Sequence, residues 1–102
     1  MAKLIALYKR PKNPKEFDAY YYKTHAPLAK KIAGVKRYEV STGPVGSPQG
    51  ESAYHLAAVL TFDSLAAIQK GLASPAGQAT AADLANFAQA GVELLVFDSK
   101  EI

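Results

Sequence analysis

Apolar positions in this chain fall into four strand-like stretches separated by segments of helical period, and that order predicts the fold. The first run, Leu4-Ile5-Ala6-Leu7-Tyr8 within residues 3–9, has no polar alternation, as expected of a strand buried on both faces. A turn, Lys9-Arg10-Pro11-Lys12, leads to a helix start at Asn13-Pro14-Lys15-Glu16. Asn13 suits the cap, Pro14 the first helical position, and Glu16 the third position of a capping box. The helix is expected to run to about residue 33 and to end at Gly34 as a left-handed C′ glycine. On 100° steps Phe17, Tyr21, His25, Leu28 and Ile32 fall within about 80° of each other, on the stripe that faces a core. Pro27 cannot donate to the carbonyl of Lys23, so a kink or restart is expected at His25-Ala26.

Residues 35–42 alternate, with Val35, Arg37 and Glu39 on one side and Lys36, Tyr38 and Val40 on the other, a strand with one partly solvated face. Residues 43–53 hold three glycines and two prolines and read as a long flexible connection. Residues 54–62 form the longest strand: Tyr54, Leu56, Ala58, Leu60 and Phe62 share one face, and His55, Ala57, Val59 and Thr61 the other. Asp63 is placed as the cap of a second helix carrying Leu65, Ile68 and Leu72. Ser74-Pro75 restarts the chain as a third helix to about residue 90, with Leu84, Phe87 and Ala88 on one side. Gly91 ends it, and residues 92–98 are a last apolar strand.

The order β-α-β-β-α-(α)-β is the split βαβ, ferredoxin-like arrangement with an antiparallel sheet, an α+β fold in a single domain over residues 1–102. Both helical layers cover the same face of such a sheet. Strands that are apolar on both sides therefore need a cover for the open face, and a second copy of the same sheet, a homodimer, is the economical one.

Composition removes several classes of function. No cysteine is present, which excludes disulfides, thiolate metal sites and cysteine nucleophiles. No apolar run is long enough to span a membrane, and the N-terminal run is too short for a signal peptide, so a soluble, cytoplasmic protein is expected. The net charge of +3 is unevenly spread: residues 1–38 hold ten of the twelve Lys and Arg against two acids, and the rest holds two bases against seven acids. Without an exposed aromatic RNA-binding motif on a central strand, this asymmetry reads as a solvated or intersubunit surface, with no nucleic-acid partner.

His25 is the candidate for chemistry. Its ordinary pKa lies near neutrality, so it can serve as a general acid or base, with Tyr21 one turn back. The alternative is an imidazole bonded to a main-chain carbonyl at the Pro27 kink, which fixes the helix. Tyr8, Phe17, Tyr21, Tyr54, Phe62 and Phe87 are candidates to line an apolar substrate pocket beside it. Tyr54 and His55 lie on opposite strand faces, so only one of them can share that pocket. His25 and His55 are the only imidazoles and neither has metal-ligand spacing, so no metal is expected. Nucleophile-elbow, phosphate-loop and dinucleotide motifs are absent.

The segments Leu7-Tyr8-Lys9-Arg10-Pro11, Phe17-Asp18-Ala19-Tyr20-Tyr21, Thr24-His25-Ala26-Pro27-Leu28-Ala29 and Ser74-Pro75-Ala76-Gly77-Gln78 through Asp83-Leu84-Ala85-Asn86-Phe87 resemble the EthD family over nearly the whole chain. The resemblance implies a dimeric α+β barrel, two ferredoxin-like sheets packed face to face with the helices outside. It also implies a small hydrophobic or aromatic ligand in a catabolic or tailoring pathway. The family is named for a gene cluster that degrades ethyl tert-butyl ether, where a cytochrome P450 system is credited with the oxidation. The wider superfamily includes cofactor-free monooxygenases, isomerases, polyketide cyclases and haem-binding members. The expectation is a cofactor-independent oxidoreductase, cyclase, isomerase or decarboxylase with His25 as acid/base, or else a non-catalytic carrier for an oxidative system.

Overall fold

The structure, a computed structural model, describes all 102 residues. Its elements are β1 (Ala2–Lys9), α1 (Pro14–Tyr20), a π-helical turn (Tyr21–His25), α2 (Ala26–Lys30), β2 (Arg37–Val40), β3 (Gly46–Ser47), β4 (Gly50–Glu51), β5 (Tyr54–Phe62), α3 (Leu65–Ala73), α4 (Pro75–Phe87) and β6 (Val92–Asp98). The main sheet has the order β2-β5-β1-β6 with every pairing antiparallel, and the helices lie on one face, so the fold is the ferredoxin-like α+β arrangement.

Parity explains the core. Ala2, Leu4, Ala6 and Tyr8 of β1 pair with Phe62, Leu60, Ala58 and Leu56 of β5, and all eight are buried beneath the helices. The opposite face carries Ile5 and Leu7 of β1, Val59 of β5, and Leu95 and Phe97 of β6, the last two 51% and 45% exposed. That second apolar face has no cover within the chain.

Several sequence expectations shift. The connection over residues 43–53 contains a small hairpin, β3 paired with β4, with Gly50 at φ 125° opening the second strand after the turn. Strand β2 is shorter than residues 35–42 because it is an edge strand with a single partner. Ser64, not Asp63, caps α3: Ser64 has extended backbone and its hydroxyl accepts the Ala67 N–H at 3.0 Å. Asp63 lies one residue too early and faces Lys36 across 3.7 Å at the surface. Helix α4 stops at Phe87, three residues before the expected end.

The tyrosine-rich helix is interrupted as Pro27 demands, by a defined device. The Ala26 N–H reaches back five residues to the Tyr21 carbonyl, closing a π turn, and α2 restarts with Pro27 in its first turn, where a missing donor is harmless. The extra residue in the turn retards the helical phase. Tyr21 and His25 stay neighbours on the inner side, their rings tilted at 41°, while Ala29 takes the buried place expected of Leu28.

Tyr54 departs from its expected face. The β1–β5 register slips at Tyr8/Lys9, where Leu56 pairs with Tyr8 but Tyr54 with Lys9. His55 is the extra residue of this bulge. Its ring meets Phe17 of α1 edge-on at 5.2 Å, whereas the Tyr54 hydroxyl donates to Glu93 on the other side of the sheet at 2.6 Å.

Candidate functional site

Ser74 sets the geometry of the helical layer. Its hydroxyl donates to the Gly71 carbonyl at the end of α3 (2.5 Å) and accepts the Gly77 N–H at the start of α4 (3.2 Å), so one side chain closes one helix and opens the next. Gly77 then passes against the backbone of Leu72, where any Cβ would sit 2.7 Å from the Leu72 carbonyl oxygen. This close approach aims α4 across the inner side of α1 and the π turn. On α4, Gly77, Ala81 and Leu84 face inward, and Asp83 and Phe87 lie one turn apart against the tyrosine-rich helix.

Asp83 is the only charged residue of α4, and it is buried. Its Oδ1 accepts from the Tyr20 hydroxyl at 2.5 Å and from Asn86 Nδ2 at 3.0 Å; its Oδ2 lies 2.9 Å from His25 Nδ1. Burial alone would raise the Asp83 pKa, but these hydrogen bonds outweigh it and hold the carboxyl below the ordinary 3.8. His25 is 3% exposed. Desolvation is the largest influence on it and, against the opposing pull of Asp83, keeps its pKa below 6.5. The imidazole is therefore neutral at pH 7. An ionised Asp83 can only accept, so Nδ1 carries the proton and Nε2 the lone pair. Phe87 packs on the imidazole with ring centroids 4.6 Å apart.

His25 and Tyr8 both line a cavity of about 290 Å³ between the helices and the sheet. Hydrocarbon from β1, β5, β6, α2 and α4 forms most of its wall. The polar end is made by His25 and three tyrosines. The Tyr8 hydroxyl lies 3.4 Å from Nε2, and the Tyr21 and Tyr38 hydroxyls are 2.5 Å from each other. Burial raises the pKa of all three phenols, so they remain neutral donors.

Of the residues singled out in the sequence, His25, Tyr8 and Tyr21 meet at this cavity wall. Phe17 and Phe87 stand behind it, packed on Tyr8 at 5.4 and 5.6 Å between ring centroids. Phe62 is fully buried beneath Gly34 and Gly71, and Tyr54 is turned away toward Glu93. Neither Tyr54 nor His55 reaches the cavity. His55 instead pairs with Asp18 at 2.7 Å beside a separate surface cleft. Sequence reasoning missed Asp83, Tyr38, Tyr20 and Asn86. A lone acid four residues before Phe87 on an otherwise uncharged helix was the available signal for Asp83. No three His, Asp or Glu side chains converge as a metal site would require.

Fold and site together define a ferredoxin-like α+β protein with an apolar cavity and a carboxylate-supported histidine at its polar end. The EthD domain model matches residues 9–91, and the chain belongs to the EthD family. It is 40% identical over its whole length to an uncharacterized 11.0 kDa protein from the thcB-thcC intergenic region of Rhodococcus erythropolis, covering 98% of that protein. The crystal structure of an ethyl tert-butyl ether D (EthD) family protein from Bacillus halodurans superimposes with a TM-score of 0.90 at 36% identity, over 98% of this chain and 99% of that one. A dimeric protein of ferredoxin-like fold from Bacteroides fragilis shares the fold at a TM-score of 0.65 and 21% identity, over 96% of this chain and 95% of that one.

Proposed function

We propose that this protein is a cytoplasmic homodimer that binds a small hydrophobic or aromatic compound in the His25 cavity and moves a proton on it without a cofactor. The observation that carries this reading is the line Asp83–His25–Tyr8, ending in a cavity whose remaining lining is mostly hydrocarbon. A neutral imidazole oriented through Nδ1 by an ionised carboxylate presents Nε2 as a base beside a largely apolar wall, which in the single chain opens to solvent at Leu72, Leu94 and Val96. A volume of about 290 Å³ is at the small end of ligand pockets and suits a single-ring compound. Such proton transfer belongs to isomerisation, cyclisation or decarboxylation in a catabolic or tailoring pathway. Dimerisation is supported by the uncovered apolar sheet face and by the dimeric B. fragilis protein.

The test uses a panel of small aryl and alkyl ketones in deuterium oxide, with NMR reading both binding and exchange at the carbon beside the carbonyl. The wild-type protein is expected to bind and to speed exchange, and His25→Gln to bind without speeding it. Binding with no exchange in the wild type would assign the protein as a carrier for an oxidative system.

A further inference from the structure

The polar end of the cavity contains more donors than its own hydrogen bonds use. Tyr8, Tyr21 and Tyr38 have one O–H each. Two hydrogen bonds join them to their surroundings, Tyr21 to Tyr38 and Tyr8 to His25 Nε2, and Tyr21 also interacts with the Tyr8 hydroxyl, so the O–H left without a close partner belongs to the Tyr21–Tyr38 pair. The contact from Tyr8 to Nε2 is long at 3.4 Å, beyond the usual span for such a bond, so an incoming group can displace it. A site that held only hydrocarbon would gain nothing from three hydroxyls at one end, whereas an oxygen atom there would meet donors and an adjacent base.

We infer that the Tyr21–Tyr38 hydroxyl pair is an oxyanion-binding site, and that the ligand is a compound with an apolar body and one oxygen able to carry negative charge, a phenol or an enolisable ketone. This inference rests on the reading of the His25 cavity as a ligand site. For a ketone, Nε2 takes the proton from the carbon beside the carbonyl. The C–H electron pair becomes a C=C bond, and the carbonyl π pair moves to oxygen, which accepts the free O–H of the tyrosine pair. The imidazolium then returns its proton to the same or another carbon and the carbonyl re-forms. Tyr21, which is buried, and Tyr38, which is partly so, suit this role because they stay protonated beside an apolar wall, where a donor to a developing anion is most effective.

The test compares phenol with toluene, its isostere without the oxygen, by calorimetric titration of the full-length protein. Wild type is expected to bind phenol roughly tenfold more tightly than toluene. Tyr38→Phe is expected to remove that preference while toluene affinity stays the same, with far-UV circular dichroism confirming the fold. A second probe, 4-nitrophenol, reports its own ionisation by absorbance and is expected to ionise at lower pH when bound to wild type than when free. Equal affinities for phenol and toluene in wild type would overturn the oxyanion site and leave the cavity reading intact, and so would a phenol preference that survives in both Tyr38→Phe and Tyr21→Phe. Binding of neither probe would overturn the cavity reading and this inference with it.

Discussion

His25 Nδ1 and Asp83 Oδ2 lie 2.9 Å apart although 58 residues separate them in the chain, and both side chains are buried. The pair ties the π turn of the tyrosine-rich helix to α4. The carboxylate fixes which nitrogen of this histidine, at the end of the helix interruption, holds the proton.

Asp83→Asn tests that orientation. The amide removes the charge, so the Tyr20 and His25 donors lose a charge-assisted acceptor in a buried place, at a cost of about 1–3 kcal/mol of stability. Ligand binding is expected to persist, while exchange catalysed by His25 falls at least about tenfold, within the range that positioned acid–base groups contribute. NMR of the labelled imidazole should show a mixture of tautomers. Unchanged exchange in this variant would remove Asp83 from the account.

Acid should destabilise the protein in two steps. The folded-state pKa of His25 lies below 6.5, so between the folded and unfolded values the unfolded chain binds more protons and stability rises with pH. This contribution is complete above 6.5 and is lost as pH falls through the lower folded value. Asp83, held below 3.8, behaves likewise in more acidic solution. Thermal melts across pH should show the upper step in wild type and lose it in His25→Gln, which no longer titrates at that position. A melting temperature that rises as pH falls below 6.5 would contradict the stated direction.

Gly77→Ala tests the packing that aims α4. A Cβ at this position meets the Leu72 backbone at 2.7 Å and the Gly71 carbonyl closer still, so the two helices must separate. Overpacking of this kind costs roughly 1–3 kcal/mol. Denaturant unfolding should show that loss, and the His25 signals should shift because Asp83 moves with α4. A change within about 0.5 kcal/mol would mean the crossing is loose.

Much of this architecture was legible in the sequence because it follows from parity and caps. Ala2, Leu4, Ala6 and Tyr8 alternate with less buried neighbours, and Asn13-Pro14 and Ser74-Pro75 mark helix starts that the structure places as expected. Tyr54 was misplaced because a bulge shifts the parity of every residue beyond it and leaves no mark in local hydrophobicity. Leu28 was placed on the inner stripe because a uniform 100° step has no room for a π turn. The site was legible on one side only. His25, Tyr8 and Tyr21 lie within or beside the tyrosine-rich helix, whereas Asp83 and Tyr38 arrive from α4 and β2, whose approach depends on tertiary packing that periodicity does not encode.

Leu95→Arg tests the open sheet face. Leu95 lies beside Ile5 on the side away from the helices and is 51% exposed in the single chain. A charge there would be buried without a partner in a face-to-face dimer, at a cost of several kcal/mol. Light scattering should report a dimer for wild type and a monomer for the variant, with helical content unchanged by circular dichroism. A monomeric wild type would remove the dimer from the account.

The central claim is that His25 presents an unprotonated Nε2 to a ligand cavity, and imidazole nitrogen NMR on the labelled protein at pH 7 tests it most directly. One neutral tautomer is expected for His25, with Nδ1 protonated toward Asp83, Nε2 bare, and the Nε2 signal moved by added phenol. An imidazolium at this pH, a proton on Nε2, or an Nε2 signal indifferent to phenol would contradict it.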